Sequence, residues 1–516
     1  MKKVLALLLA LTMLVTAFAA CGGTTEESSA AGESSAAEES TAEESSAEES
    51  EAEETGETVT MVYLIPGDEP KDMARGLSDV NAKMAEDGVG VEVELRYIAW
   101  DVWDQKINLM LSTGDNFDMF HVMNDRVTIA NYASRNALAD ITEAFNTYGE
   151  NIIANCPDLA IRSGQVGDVQ YGIPAYWVES ALNHQGLIRL DILEKYGIET
   201  VPSTWDELTE AFVTVMENWE GVQKPYLPLV GTGEVGGYMF NSDSNYVLYE
   251  NMIYVGQDGT ITNYFETEAF KESCNNARDW YEKGLINPDV LTVTNDQKDN
   301  QLNNGDWLVH FGTIGDITAL KNNYPDLTVD DFAWLDFDTE TPEIRPYGTR
   351  NMQAVPASSE HPEAAVKFVN WIYASEENFA LFHYGTEGTD YTKLDGNAYE
   401  VIANDTGSSD WNFATWMTGN INYGYLNANA PAPTNEHLYT IDETAQDGIA
   451  ALMTFDASEV QTQVADVNTQ ISALIAPMAC GVVEYDEGIE EALAMLDKAG
   501  LDDIVAAFQA QYDASK

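Results

Sequence analysis

The folded part of this chain opens with the apolar stretch Val59-Thr60-Met61-Val62-Tyr63-Leu64-Ile65, which Pro66 and Gly67 bring to an end. An apolar run of this length, rich in β-branched residues and bounded by turn residues, predicts a buried strand. Helices are predicted over 70–86 and 102–112, and a further strand over 118–123. Between the helices, a strand is indicated by apolar residues that alternate with polar residues or glycine, namely Val89, Val91, Val93, Leu95 and Tyr97.

This alternation of strand and helix predicts an α/β fold with a parallel sheet and right-handed crossovers. In open sheets of this kind, ligands bind beyond the carboxyl ends of the strands. We therefore expect the loops after Ile65, Tyr97 and Val122 to lie near any binding cleft.

Helices are also predicted further along the chain. Thr204 can cap a helix, and Glu207, three residues on, can complete a capping box. The apolar residues that follow fall on one helical face, namely Leu208, Ala211, Phe212 and Val215. Pro362 begins a helix with the same spacing at Ala365, Phe368, Val369 and Ile372. A turn-rich connection is expected over 385–392, and two more helices over 457–474 and 488–498.

The N-terminal residues predict export and a lipid anchor. Lys2 and Lys3 precede an apolar run over 4–20, which is too short for a stable membrane span and is typical of a secretory signal. The residues around Cys21 resemble a bacterial lipobox, with Phe18 where leucine is usual. We expect cleavage before Cys21 and acylation of its thiol. Residues 22–57 contain no aromatic residue and no Leu, Ile or Val, so they predict an acidic, disordered tether.

Composition excludes several classes of function. The chain has 87 acidic and 24 basic residues, a formal net charge of −63, which argues against a nucleic-acid partner and against binding an anionic bilayer by charge. After Cys21 only Cys156, Cys274 and Cys480 remain, so no disulfide framework or zinc ribbon is indicated. The six histidines form no metalloprotease motif. We expect no metal and no cofactor.

Five stretches of the chain resemble one known family. In order along the sequence, they are 105–118, the Tyr171-Gly172-Ile173-Pro174 run, 189–208 with Pro202-Ser203-Thr204-Trp205-Asp206, 355–365, and 384–391 together with Trp416-Met417-Thr418-Gly419-Asn420. Each stretch alone is weakly specific for a family, but their order and spacing together are specific for one superfamily. The chain resembles the extracellular solute-binding proteins of the maltose-binding type (family 1), in the group of lipoprotein sugar receptors with an additional C-terminal domain.

This resemblance implies a two-lobed, periplasmic-binding-protein-like (type II) α/β fold with multiple interlobe crossings. We expect a signal peptide over 1–20, a tether over 21–57, a first lobe over 58–173 and 351–385, and a second lobe with a C-terminal extension over 174–350 and 386–516. It also implies a monomer that closes on a carbohydrate and presents it to the permease of an ABC importer. The expected location is the extracellular face of the membrane of a Gram-positive bacterium.

A sugar cleft combines aromatic planes with carboxylates, amides and arginine, because sugars present both C–H faces and hydroxyls. The residues predicted to contact the ligand are Trp103, Asn124, Tyr176, Trp177, Glu179, Arg350, Asn351, Glu387 and Asp390. The tryptophans assigned instead to packing are Trp100, Trp205, Trp280 and Trp371.

Two alternatives stay open at this stage. A secreted glycoside hydrolase also uses aromatic planes and paired carboxylates, although nothing in the sequence selects one pair. A receptor for a peptide or polyamine would also suit an acidic cleft. The leading interpretation is a receptor without catalytic activity.

Overall fold

The computed structural model describes residues 58–177, 185–221, 223–231, 246–249, 252–337, 344–404, 409–436, 440 and 445–516. The predicted signal, Cys21, the tether and Glu179 lie outside these residues. Within the described part of the chain, no helix is long and apolar enough to cross a membrane.

The strands are β1 (Val59–Pro66), β2 (Val91–Ile98), β3 (Met119–Met123), β4 (Gln165–Val166), β5 (Val169–Gln170), β6 (Gly172–Pro174), β7 (Gln185–Arg189), β8 (Tyr246–Leu248), β9 (Ile253–Val255), β10 (Ile261–Asn263), β11 (Val309–His310), β12 (Phe332–Asp336), β13 (Ile344–Arg345), β14 (Asn351–Ala354), β15 (Tyr391–Leu394), β16 (Ala398–Val401), β17 (Leu426–Asn427) and β18 (Gln446–Asp447). The α-helices span Met73–Glu86, Trp103–Thr113, Ile129–Ser134, Thr142–Tyr148, Glu150–Asn155, Asp158–Ser163, Leu190–Lys195, Trp205–Asn218, Glu268–Glu282, Asn295–Asn304, Pro362–Ile372, Glu376–Tyr384, Thr415–Thr418, Gln461–Gln470, Ala476–Ala479, Tyr485–Ala499 and Leu501–Ser515. Short 3-10 turns span Trp100–Val102, Tyr264–Glu266, Val290–Thr292, Leu320–Asn322, Ile421–Tyr423 and Ser458–Val460, and a π turn spans Ile471–Ile475.

The largest sheet has the strand order β2-β1-β3-β14-β6. Strand β1 runs parallel to β2 and to β3, which confirms the parallel arrangement predicted for these three strands. Strand β14 is antiparallel to both β3 and β6. The sheet is therefore completed by a segment that lies more than 200 residues after β3.

Helices cover both faces of this sheet. One face packs against helices Met73–Glu86, Pro362–Ile372 and Glu376–Tyr384 around a core that includes Tyr63 and Phe368. The other face packs against helices Trp103–Thr113 and Ile129–Ser134. We call this sheet with its helices the first lobe.

A second, three-stranded sheet has the order β11-β7-β12 and shares a core with helices Trp205–Asn218 and Glu268–Glu282. We call this unit the second lobe. The predicted cap is confirmed, since Thr204 accepts a hydrogen bond from the Glu207 N–H. The Glu207 carboxylate does not complete the capping box but accepts from Ser203, one residue earlier.

One predicted boundary is wrong. We assigned residues 386–516 to the second lobe, but the aromatic residues of 391–425 pack in the first-lobe core, namely Tyr391, Trp411, Phe413 and Tyr425. Apolar burial therefore continues in the first lobe well past Gly385. The remaining boundaries stay predictions.

Residues 445–516, which we call the C-terminal extension, end in three longer helices. Two were predicted, and the third, Leu501–Ser515, was missed. The extension forms a core with β9, β10 and helix Glu268–Glu282.

Candidate functional site

An aromatic surface lies at the carboxyl end of the first-lobe sheet. Trp100 follows β2, is 40% exposed and stacks on Trp416, with ring centroids 6.0 Å apart and planes inclined by 30°. Gly67, just after β1, lies beside it, because a Cβ atom on Gly67 would be 3.6 Å from Trp100 Nε1. We call this pair the Trp100–Trp416 surface.

Buried polar groups of the sheet support this surface from below. The edge of His121 meets the Trp416 ring at a centroid distance of 5.3 Å. His121 Nε2 lies 3.1 Å from Asn351 Oδ1, which is an acceptor, so the ring proton belongs on Nε2. Burial lowers the pKa of His121 to about 3, against a smaller opposing effect of that hydrogen bond, so its imidazole is neutral. Gln353 donates to the Met417 carbonyl and ties the Trp416 segment to β14.

Charged side chains follow β3 and precede β14 at the same end of the sheet. Arg126 donates to Asp104 at 2.5 Å, and Arg350 Nε lies 3.7 Å from Asp125 Oδ2. Burial raises the pKa of Asp104, although the Arg126 guanidinium opposes the rise. Asp125 and Arg350 are each more than a third exposed, although Asp125 Oδ1 and Arg350 Nε themselves are buried.

Trp103 does not have the predicted ligand-stacking role. It is 1% exposed and lies in the first-lobe core with Leu64, Ile107 and Phe117. The helix begins at Trp103, and its first side chain packs against the sheet, whereas Trp100 lies in the 3-10 turn before it. Trp100, which was assigned to packing, is exposed. Trp103, which was predicted to stack on a ligand, is buried.

Asn124 joins the lobe crossings instead of facing a cleft. It is 5% exposed, its amide donates to the Thr349 carbonyl at 3.2 Å, and its carbonyl accepts from Ile129 N–H at 3.1 Å. Thr349 in turn donates to the Ala175 carbonyl at 2.8 Å. These bonds hold the crossings near Ala175 and Thr349 together.

Tyr176 and Trp177 follow β6 and pack against the segment that contains Gly419. The Tyr176 N–H donates to the Gly419 carbonyl at 2.8 Å, and its carbonyl accepts from Ile421 N–H. Trp177 is 8% exposed and lies so close to Gly419 that a Cβ atom there would be 2.7 Å from the Trp177 ring. This burial does not fit the ligand-stacking role predicted for Trp177.

Asp390 does not fit a ligand-binding role either, because its carboxylate is already bound within the protein. It is 1% exposed and accepts from Arg75 at 2.5 Å and from the Thr386 N–H at 2.8 Å. Glu387 in the same turn is exposed, so its predicted contact with ligand stays a prediction. Asn351 is 7% exposed and is linked to the Trp100–Trp416 surface through His121, so its predicted contact with ligand, like that of Arg350, stays a prediction.

Sequence reasoning missed Trp416 and His121. In the sequence, Trp416 is part of a stretch that resembles the family, and no periodicity identifies it as a site residue. His121 is buried in β3, and the other four residues of this strand are apolar.

Two cavities among the described residues do not coincide with this surface. One, of about 540 Å³, lies against Tyr148, Lys367 and Trp371 on the helices of the first lobe. Its lining includes the Lys83–Asp87 ion pair but neither ring of the Trp100–Trp416 surface, so we base the site on the sheet edge, where stacked rings and ion pairs occur together. In the described part of the chain, no group of three or more His, Cys, Asp or Glu side chains could hold a metal ion.

Comparison with known proteins gives the chain a family. Residues 41–379 match the model of the bacterial extracellular solute-binding proteins, and 450–516 match a domain of unknown function (DUF3502). A carbohydrate ABC transporter substrate-binding protein of Streptococcus pneumoniae serotype 4 is 23% identical, with 97% of this chain and 95% of that protein covered.

Solved structures show the same fold. The N-glycan transport solute-binding protein of Streptococcus pneumoniae, also solved with Man1GlcNAc, has a TM-score of 0.71 and 21% identity in its ligand-free form, with 88% of this chain and 98% of that chain covered. An HMO-binding solute-binding protein associated with an ABC transporter, from Bifidobacterium longum infantis, has a TM-score of 0.60 and 17% identity, over 88% and 99%. The predicted type II fold is confirmed. Because the family model spans more than half of the sequence, this chain belongs to the bacterial extracellular solute-binding proteins.

Proposed function

We propose that this protein is the lipid-anchored extracellular receptor of an ABC importer. In this proposal it binds a mono- or oligosaccharide between its lobes, as a monomer, and delivers it chemically unchanged to the permease. The observation that carries the proposal is the Trp100–Trp416 surface at the carboxyl end of the first-lobe sheet. A stacked pair of rings, of which Trp100 is exposed and Trp416 is partly buried, suits the apolar C–H face of a sugar ring.

The ion pairs beside this surface suit the hydroxyls of the same ligand. Asp125 and Arg350 are partly exposed and 3.7 Å apart, so a hydroxyl could accept from the guanidinium and donate to the carboxylate. Glu69 is also exposed and lies near Tyr97 at the end of β2. The pKa of the Tyr97 phenol is raised mainly by burial and to a smaller extent by the charge of Glu69. The carbohydrate named in the relative from Streptococcus pneumoniae supports the same ligand class.

A glycoside hydrolase would need a carboxylic acid and a second carboxylate on either side of the scissile bond. At this edge Asp104 and Asp125 are paired with Arg126 and Arg350, so both carboxylates already have a partner within the protein. We therefore propose binding without catalysis. Incubation of the purified protein with mixed oligosaccharides should release no free sugar, and time-dependent release would support the hydrolase instead.

The lipid anchor is a separate part of the proposal and rests on the sequence around Cys21. We expect Cys21→Ser to move the protein from the membrane fraction to the medium. Membrane association that persists in this variant would contradict acylation at Cys21.

The ligand class is tested by thermal shift against Man1GlcNAc, Man5GlcNAc, kestose, spermidine and a tetrapeptide. A ligand that binds only the folded state raises its stability by about 2.7 kcal/mol at a hundredfold excess over Kd. We expect a sugar to do so. Stabilisation by spermidine or the peptide alone would overturn the carbohydrate assignment.

Calorimetry with the stabilising sugar then tests the site. Trp100→Ala and Trp416→Ala should each weaken binding by about 1 to 3 kcal/mol, the scale of burying a large apolar side chain. The matched control is Trp219→Ala, because Trp219 also packs on a neighbouring ring, Tyr196, but in the second lobe. Equal affinities in all three variants would show that the Trp100–Trp416 surface does not contact the ligand.

A further inference from the structure

Carboxylates border the exposed ring of Trp100. Asp101 is the next residue in the same 3-10 turn, which spans Trp100–Val102. Asp68 follows Gly67, and a Cβ atom on Gly67 would lie only 3.6 Å from Trp100 Nε1. Both aspartates are exposed. Two carboxylates therefore adjoin the ring that forms the proposed sugar contact.

A third carboxylate lies at the end of β2. Burial, and to a smaller extent the negative charge of Glu69, raise the pKa of the Tyr97 phenol, so Glu69 lies close to Tyr97. Tyr97 is three residues before Trp100, and Glu69 is exposed. Within the part of the chain that the structure describes, none of these three carboxylates forms an ion pair with a lysine or arginine. We call Asp68, Glu69 and Asp101 the acidic rim.

Two arginines at this end of the sheet do not offset the acidic rim, because each already has an aspartate partner. Arg126 donates to Asp104 at 2.5 Å, and Arg350 Nε lies 3.7 Å from Asp125 Oδ2. Burial is the main cause of the raised pKa of Asp104, and the charge of Asp125 adds to it, so the two pairs lie close together. The four side chains together carry no net charge.

The lysines nearby do not offset the acidic rim either. Lys71, two residues after Glu69, lies 3.6 Å from Asp410 and is thereby paired. Lys106, on helix Trp103–Thr113, is exposed and forms no ion pair with any described residue. One cation against the three carboxylates of the rim leaves an excess of two negative charges. The Trp100–Trp416 surface therefore has a negative electrostatic potential, which favours cations and disfavours anions.

We propose that the acidic rim makes this receptor selective for neutral sugars and amino sugars over sugars that carry a carboxylate or a phosphate. The inference rests on the proposed function, because it names the class of saccharide that the Trp100–Trp416 surface accepts. A sugar hydroxyl can donate to a rim carboxylate, and the ammonium group of an amino sugar is attracted to it. An anionic sugar is repelled, so the rim supplies the repulsive part of the specificity.

A triple variant removes the charge of the rim and keeps its shape. It combines Asp68→Asn, Glu69→Gln and Asp101→Asn. The amides can still accept hydrogen bonds from sugar hydroxyls through their oxygens. A matched control variant removes the same charge from exposed positions on two helices of the C-terminal extension. It combines Asp466→Asn, Glu490→Gln and Asp497→Asn.

The first readout needs no sugar. Iodide, caesium and acrylamide quench tryptophan fluorescence on contact, and the contribution of Trp100 is the difference from the same protein with Trp100→Phe. Removal of the rim should raise the iodide quenching constant of Trp100 about twofold and lower the caesium constant, while the constant for neutral acrylamide stays the same. The control variant should match the parent. The same iodide and caesium constants in the rim variant and the parent would overturn the inference.

The second readout is calorimetry with two disaccharides that share an N-acetylglucosamine unit. Man1GlcNAc is neutral, and glucuronosyl-N-acetylglucosamine carries one carboxylate. Removing three unit charges about 8 Å from that carboxylate should tighten binding of the acidic disaccharide about fivefold to tenfold at about 10 mM salt. The gain should disappear at about 1 M salt, where charges are screened within about 3 Å. The affinity for Man1GlcNAc should be the same in the parent, the rim variant and the control variant.

The outcomes separate this inference from the proposed function. Binding of the acidic disaccharide with equal affinity by the parent and the rim variant would overturn the selectivity and leave sugar binding intact. Binding of the acidic disaccharide by the rim variant alone would support the selectivity. If neither disaccharide binds, the quenching constants decide whether the rim repels anions, and the thermal-shift series decides whether the protein binds a sugar.

Discussion

The Trp100–Trp416 surface and the turn Gly385–Tyr391 differ in whether their side chains are still available. Trp100 is 40% exposed, and the side chains of Asp125 and Arg350, at the same end of the sheet, are each more than a third exposed. In the turn, Asp390 is 1% exposed and both its oxygens accept hydrogen bonds from the protein. Both regions have residue types that suit a sugar, but the first has an exposed aromatic ring, whereas the carboxylate of the second is buried and bound within the protein.

The backbone of the turn is built around its carboxylate. Gly385 has φ 89°, a left-handed conformation that favours glycine, and a Cβ atom there would lie 2.4 Å from Asp390 Oδ2. The same carboxylate also binds Arg75 of helix Met73–Glu86. Asp390 therefore fixes the turn against the first lobe.

The largest effect should come from Trp103. Truncation of this fully buried ring by Trp103→Ala should lower the free energy of unfolding by about 3 to 5 kcal/mol, because it removes apolar contacts and leaves a cavity. Urea unfolding measures this change, with Trp100→Ala as the matched control, which should cost much less. If Trp103→Ala kept full stability and lost sugar affinity, Trp103 would be a ligand contact and not a core residue.

The next effect concerns the turn. Asp390→Asn should destabilise the protein by about 2 to 3 kcal/mol, the scale of charged hydrogen bonds lost from a buried group. The amide keeps the shape but cannot accept from both Arg75 and the Thr386 N–H. Sugar affinity should be unchanged, and Glu387→Gln, at an exposed site in the same turn, should leave stability unchanged. Normal stability with weakened binding would mean that Asp390 contacts the ligand after all.

Much of the fold could be predicted because its signals are local. The strands observed at Val59–Pro66, Val91–Ile98 and Met119–Met123 follow apolar patterns that lie within single segments. Helix Leu501–Ser515 could have been found in the same way, since Leu501, Ile504 and Phe508 recur at helical spacing and are buried. The lobe boundary after Gly385 could not have been found in this way, because it depends on which lobe core the aromatic residues of 391–425 pack in.

The site was harder to predict, because its parts meet only in the tertiary structure. Trp100 and Trp416 are 316 positions apart in sequence and stack through contacts that no local pattern encodes. Trp100 and Trp103 are three residues apart, and both were expected near a loop. Their opposite burial depends on the helix beginning at Trp103 and not earlier. Hydrogen bonds already made by Asn124 and Asp390 are likewise invisible in the sequence.

The support beneath the Trp100–Trp416 surface should respond to acid. Burial lowers the pKa of His121 to about 3 in the folded protein, below its ordinary value of 6.5. The unfolded chain therefore binds a proton first as the pH falls, and the free energy of unfolding should drop between pH 6.5 and 3 by about 1.4 kcal/mol per pH unit from this group. We expect His121→Gln to show a shallower loss of stability over pH 6 to 4 in urea unfolding. Identical slopes for variant and parent would contradict a buried, neutral imidazole.

The smallest effect on stability should come from Arg350. Its pair with Asp125 is 3.7 Å long, and both side chains are more than a third exposed, so the pair should contribute less than about 1 kcal/mol.

Arg350→Met keeps most of the apolar stem and removes the charge, so it separates binding from folding. If the guanidinium donates to sugar hydroxyls, calorimetry should show affinity weakened roughly tenfold, the scale of a charged hydrogen bond, while urea unfolding shows little change. Arg96→Met is the matched control, because Arg96 also forms an exposed ion pair, with Glu94, but on the polar face of β2. Equal affinities in the two variants would leave the rings of Trp100 and Trp416 as the contacts to the sugar and would reduce Asp125–Arg350 to an ordinary surface pair.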